Sequence, residues 1–174
     1  KQLVLDDPPV FEEKYSYLSF FSQLGDSLEL SRRLFPDILQ LLSVQDYRTP
    51  VLQLLVQLTD SGIIKAADYE NYFTRIYFDA KVELKKQQAK DEKIMEQENK
   101  NKEEDDVPAY TPYRSYEEAN EINDYAVLLM PFFDKNNSVP RYFEKLLQSR
   151  DASVRLSTAV LMLRNKKPVP DSVM

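Results

Sequence analysis

The chain has 174 residues, a formal net charge of −6, no histidine, no cysteine and only two glycines. Without histidine or cysteine there is no disulfide, no thiolate chemistry, no Ser-His-Asp triad and no zinc site of the common kinds, and the negative charge offers phosphates no basic field. Two glycines supply few of the positive-φ turns and close backbone approaches that hairpins, phosphate loops and dinucleotide fingerprints require, so the expected class is all-α.

The length fits one domain, or one block of a longer array. The chain starts at Lys1 and ends after the helix-start signal Pro170, Asp171 and Ser172, so both ends read as cuts. No apolar run reaches the roughly 18 residues of a membrane span, and no membrane insertion is expected.

The region before Leu28, with Phe11, Tyr15, Leu18, Phe20 and Phe21, reads as helical. Residues 28–44 carry Leu34, Phe35, Ile38, Leu39, Leu41 and Leu42 on one broad helical face. Pro36 falls inside it and predicts a kink or a restart, because proline lacks the N–H and clashes with the preceding turn. Residues 45–48 read as a polar turn, Thr49 as an N-cap, Pro50 as the first helical residue and Gly62 as the left-handed stop of a helix over 51–61.

A third helix is predicted from Ala66 to about Gln88, with Tyr69, Phe73, Ile76, Tyr77, Ala80 and Leu84 at spacings of three and four. After Leu84 the apolar period fades into a charged tract that reads as a solvated helix or a flexible excursion, with 99–106 as its disordered part. Residues 107–116, bearing Pro108 and Pro112, read as an extended connector. Further helices are predicted over 116–133, 140–148 and 154–165, the last capped by Asp151 and Ser153.

Shifting the chain on itself by 105 positions lays Leu41 and Leu42 on Leu146 and Leu147, and Asp46 on Asp151. A shift of 74 lays residues 125–133 on 51–59. Such recurrence suits two-helix solenoid repeats of about 34 to 47 residues, in which each pair covers the apolar face of the next.

The run Asp151-Ala152-Ser153-Val154-Arg155-Leu156, followed by Thr158, Ala159 and Leu161, resembles the inner-helix entry of HEAT-type repeats. That resemblance implies that Asp151 and Arg155, with Asp46 in the earlier copy, are turn and stacking residues. No arginine matches Arg155 in the earlier copy, so the expected ladder is irregular. The Asn123-Asp124-Tyr125 run and the tail at 167–172 resemble the helical extension of TraB/GumN-type bacterial envelope proteins. The catalytic signature of that family depends on histidine, so the resemblance implies that any hydrolytic activity lies outside this segment. It would place the chain in the envelope or periplasm, and a cytoplasmic location is the alternative.

Adjacent acids such as Glu103-Glu104 and Asp105-Asp106 read as solvating charge rather than a catalytic or cation-binding pair, since neighbours on a helix point about 100° apart. Tyr110, Tyr113 and Tyr116 bunch in the proline-bearing connector and are the candidate interaction residues, because aromatic rings bury much area with few rotors. The alternative is that these rings pin the connector to the helices.

The sequence thus predicts six or seven helices stacked as antiparallel pairs, an irregular HEAT-like α-solenoid with a charged insertion. Residues 1–88 and 110–174 would be helical-repeat blocks and 89–109 the excursion between them. The expected role is a scaffold or interaction module for a protein partner or a neighbouring domain of the same chain, without catalytic residues, metal, cofactor or nucleic acid. The alternative is a helical accessory domain of a larger enzyme.

Overall fold

A computed structural model of the chain describes residues 27–100 and 116–170. The only regular structure among these residues is helical, with no strand. In chain order the helices are α1 (Leu28–Leu41), α2 (Gln45–Asp60), the single turn α3 (Ala66–Tyr69), α4 (Phe73–Lys100), α5 (Tyr116–Leu129), α6 (Ser138–Leu147) and α7 (Ala152–Arg164). Short 3-10 turns at Glu70–Tyr72 and Met130–Phe132 precede α4 and follow α5. The chain forms two compact units, Lys1–Phe73 and Thr74–Met174.

In the first unit α1 packs against α2. Phe35, Ile38, Leu39 and Leu42 from the first helix are buried, as are Val51, Leu52, Leu55 and Leu58 from the second. Pro36 does not restart the helix, because α1 runs unbroken through it. The physical reason lies in which side it occupies. Pro36 and Arg32 are both exposed, so water can hydrate the Arg32 carbonyl that proline leaves without its helical donor.

The expected polar turn at 45–48 is also displaced. The chain turns at Leu42–Val44, and α2 already begins at Gln45 with Val44 as N-cap, so Thr49 and Pro50 lie inside the helix. Tyr47 is buried, and its side chain draws the first turn into the core. The stop of α2 matches the sequence signal closely. Gly62 has φ 72°, its N–H donates to Thr59 O at 3.0 Å and the Ile63 N–H donates to Leu58 O at 2.9 Å, which is the paired bond of a Schellman cap.

α7 ends in the same motif without glycine. Lys166 has φ 55°, its N–H donates to Leu163 O and the Lys167 N–H donates to Met162 O. An L-residue in this region costs about 1–2 kcal/mol, which glycine avoids. Gly62→Ala should therefore destabilise the first unit by about 1 kcal/mol, since no atom lies close enough to obstruct the new methyl group and only the φ penalty remains. Lys166→Gly should stabilise the second unit by about 0.5–1 kcal/mol, the relief outweighing the entropy that glycine adds to the unfolded chain. Urea titrations of both variants check the pair, and a destabilising Lys166→Gly would show that the lysine side chain itself holds the end of α7.

In the second unit α7 packs against both α5 and α6, and Ile122, Tyr125, Leu128, Phe143, Leu146 and Val154 are among its buried residues. α4 meets α6 where Tyr77 donates to Ser138 O at 3.2 Å and stands edge-on to Tyr142, 6.2 Å between centroids. α4 continues to Lys100, so residues 89–100 are helix, and residues 101–109 lie outside the described residues. The apolar stripe of Ile76, Ala80 and Leu84 does fade, but a polar one takes over beside it. Asp79, Glu83, Gln87 and Asp91, four residues apart, are all buried. Gln87 Nε2 donates to Glu83 at 2.7 Å, Lys86 pairs with Glu83, and Arg75 pairs with Asp79 at 3.1 Å. Buried polar groups joined by such bonds can continue a helical face that apolar periodicity does not register.

Candidate interaction surface

The second unit holds its last helix from three directions. Asp151, itself buried, is the N-cap of α7, and its Oδ1 accepts from the Ser153 N–H at 2.8 Å and the Ser153 hydroxyl at 2.6 Å. This satisfies a backbone donor that a helix start otherwise leaves open. Four residues on, the Arg155 guanidinium turns back and donates to the carbonyls of Ser149 and Arg150 at 2.7 and 2.9 Å. It places a positive charge just beyond the C-terminal end of α6, where the helix dipole favours one. The Ser157 hydroxyl donates to Asn123 Oδ1 of α5 at 2.6 Å. Beyond the helix, Lys167 pairs with Asp134 and stands 5.3 Å over the Phe133 ring.

Held this way, α7 turns Val154, Thr158, Ala159 and Met162 inward. Its opposite face carries Leu156, Val160 and Leu163, which are 67%, 38% and 52% exposed. Positions i, i+4 and i+7 fall on one side of a helix, so these three form a continuous apolar stripe along the outside. A helix that is apolar on both sides is ordinarily covered on both sides. A shorter exposed pair, Phe78 and Val82, lies on α4.

The two ends of α7 are cationic, although the neighbouring α5 carries Glu117, Glu118, Glu121 and Asp124. No carboxylate occurs within α7, and between Lys135 and Lys167 the sequence has eight cationic side chains against two acidic ones. Arg150 before the helix and Arg164 and Lys166 at its end are exposed. The summed charge of −6 concealed this segregation, because the acids concentrate in the remainder of the chain. Counting charge segment by segment would have found it, and the presence of apolar residues all round 154–163 was the accompanying signal.

Of the candidates taken from the sequence, Tyr110 and Tyr113 lie outside the described residues, and Tyr116 is the first residue of α5 with its side chain also outside them. Asp151 and Arg155 come together at the α6–α7 junction, as just described. Asp46 is the second residue of α2, inside the helix rather than ahead of it, and its side chain is outside the description. The two aspartates matched by the 105-residue shift thus occupy different local settings.

The described residues carry other polar features outside this face. None of them forms a cluster of three or more potential metal ligands. A cleft of about 660 Å³ in the first unit is lined by Glu29, Arg32, Gly62, Ile63, Lys65 and Asp68. Its two cations are matched by two acids, and Asp68 accepts from the Lys65 N–H at 2.7 Å, so it has no charge preference for a ligand. In the second unit the Tyr142 hydroxyl is buried with no hydrogen-bond partner, the residue being 2% exposed. Burial first, then the nearby Glu83 carboxylate and Tyr77, push its ionisation well above the ordinary tyrosine range.

An unsatisfied buried hydroxyl is a cost of about 1–3 kcal/mol that phenylalanine would remove. Tyr142→Phe is therefore expected to stabilise the second unit by about 1 kcal/mol. The raised pKa gives a pH signature with a definite sign. The folded state holds the proton more tightly than the unfolded chain, so this contribution is fully present below about pH 10 and declines as pH rises further. The variant should show a shallower alkaline loss of stability. Thermal melts between neutral pH and pH 11 measure both, and a destabilised variant would mean that the hydroxyl is hydrogen-bonded in solution.

Among the described residues no helix is long and apolar enough to cross a membrane. Comparison of the chain with protein-family models, with curated proteins and with solved structures gives no match.

Proposed function

We propose that the chain is a non-catalytic helical scaffold or protein-interaction module, an irregular HEAT-like stack of antiparallel helix pairs that meets its partner through the outer face of α7. The observation that carries this reading is the exposed stripe of Leu156, Val160 and Leu163 on a helix whose other side is already packed. In a stack of helix pairs the outward face of one pair is the landing surface for the next, so an apolar outer face suits either a further pair or a partner that mimics one. Asp151 and Arg155 support this face structurally. They fix the start of α7 and its junction with α6, leaving the recognition to the stripe.

A photocrosslinking amino acid placed at Leu156 or at Leu163, in cells of the source, tests the reading. Discrete protein adducts are expected at both positions and none at Gln53, an exposed polar position on α2. Crosslinking at the α7 positions no stronger than at Gln53 would sink the interaction role.

A further inference from the structure

Resting on that reading, we infer the chemistry of the partner: the outer face of α7 docks an amphipathic helix whose apolar stripe is flanked by acidic side chains. Leu156, Val160 and Leu163 give the groove-and-ridge surface that a second helix can pack on at spacings of three and four. The charges around them select which helix. Arg150 lies ahead of the stripe, Arg164 and Lys166 lie at its end, all three are exposed, and α7 offers no acidic side chain to balance them. The Arg155 guanidinium is already engaged by the Ser149 and Arg150 carbonyls, so the selective charge comes from the ends of the helix rather than its middle. A partner with carboxylates beside its apolar stripe gains at both ends, and one with lysines there loses at both.

The same charges argue against two other occupants. A second copy placing its α7 on this one would bring the cationic ends of the two helices together, Arg150 at one and Arg164 with Lys166 at the other. An anionic membrane surface would accept the cations, but an interfacial helix sinks a broad apolar face, whereas α7 already buries Val154, Ala159 and Met162 and leaves only three large apolar side chains outside.

Two stapled helical peptides with the same leucine stripe, one flanked by glutamates and one by lysines, provide the test by fluorescence anisotropy on the whole chain. The glutamate peptide is expected to bind about tenfold more tightly or better, from several exposed charge pairs acting together, with the preference shrinking as salt is raised. Leu156→Asp should abolish binding of the glutamate peptide while the melting temperature stays unchanged. Equal affinity for the two peptides, or binding of neither, would overturn the acidic-helix assignment. Dimerisation that Leu156→Asp disrupts would overturn it in favour of a second copy, and binding of phosphatidylserine vesicles lost in the same variant would do so in favour of a membrane. The peptide result and the crosslinking result are separable, because discrete adducts at Leu156 with no charge preference among peptides would retain the interaction role and reject only the chemistry inferred for its partner.

Discussion

Phe143→Ala is expected to destabilise the second unit by about 3–5 kcal/mol, a large share of the 5–15 kcal/mol that typically separates a folded domain from its unfolded chain. Phe143 is fully buried in α6 and meets Phe133 edge-on at 5.5 Å and Tyr142 at 6.1 Å. Truncation removes the transfer energy of the ring and leaves a cavity beneath neighbours held by other contacts, so the site cannot close around the loss. Leu156→Ala is the matched comparison. It deletes an apolar side chain of similar character from the outside of α7, and its expected cost is below about 0.5 kcal/mol. Urea denaturation followed by circular dichroism measures both. If Leu156→Ala proved as costly as Phe143→Ala, the outer stripe would be a covered core face and the proposed docking surface would be lost.

The second large effect is expected at Asp151. Asp151→Ala should cost about 1–2 kcal/mol, because it removes the acceptor for the Ser153 N–H and for the Ser153 hydroxyl at a buried helix start. Asp151→Asn keeps an acceptor at the same place and should recover most of that loss. A role confined to charge would instead make asparagine as damaging as alanine. The distinction bears on the surface directly, since the N-cap sets where α7 begins and hence which way Leu156 points. Amide exchange in the first turn of α7 should quicken in the alanine variant and remain near wild type in the asparagine variant.

Particular elements show how much could be read in advance. The predicted helices over 140–148 and 154–165 closely match α6 and α7, because proline, a Leu pair, an aspartate cap and a clear 3.6-residue period all point the same way. Gly62 stops α2 as its type demands. No restart occurs at Pro36 because a proline on the wet side of a helix leaves its orphan carbonyl to water, and the sequence alone does not say which side is wet. For the charged tract the sequence left a solvated helix and a flexible excursion open, and α4 continues as helix to Lys100. Gln87 and Asp91 occupy core positions but are polar, so a search for apolar repeats stops at Leu84 while the buried face runs on. At the candidate surface, the caps were legible as residues and the stripe was legible only as an excess of apolar positions.

That excess marks the division between the two sources of information. The amino-acid sequence by itself determined the helical class, the stops and caps at Gly62 and Asp151, and the removal of histidine and cysteine chemistry. It could not choose between the two faces of α7, because Val154, Ala159 and Met162 on one side are no more apolar than Leu156, Val160 and Leu163 on the other. Only the tertiary structure decided that. Ser157 is bonded to Asn123 and Arg155 to the end of α6, and these two ties turn the helix so that the first set enters the core and the second faces outward. Hydrophobic burial is non-directional and would have accepted either face, whereas hydrogen bonds have fixed geometry and admit one.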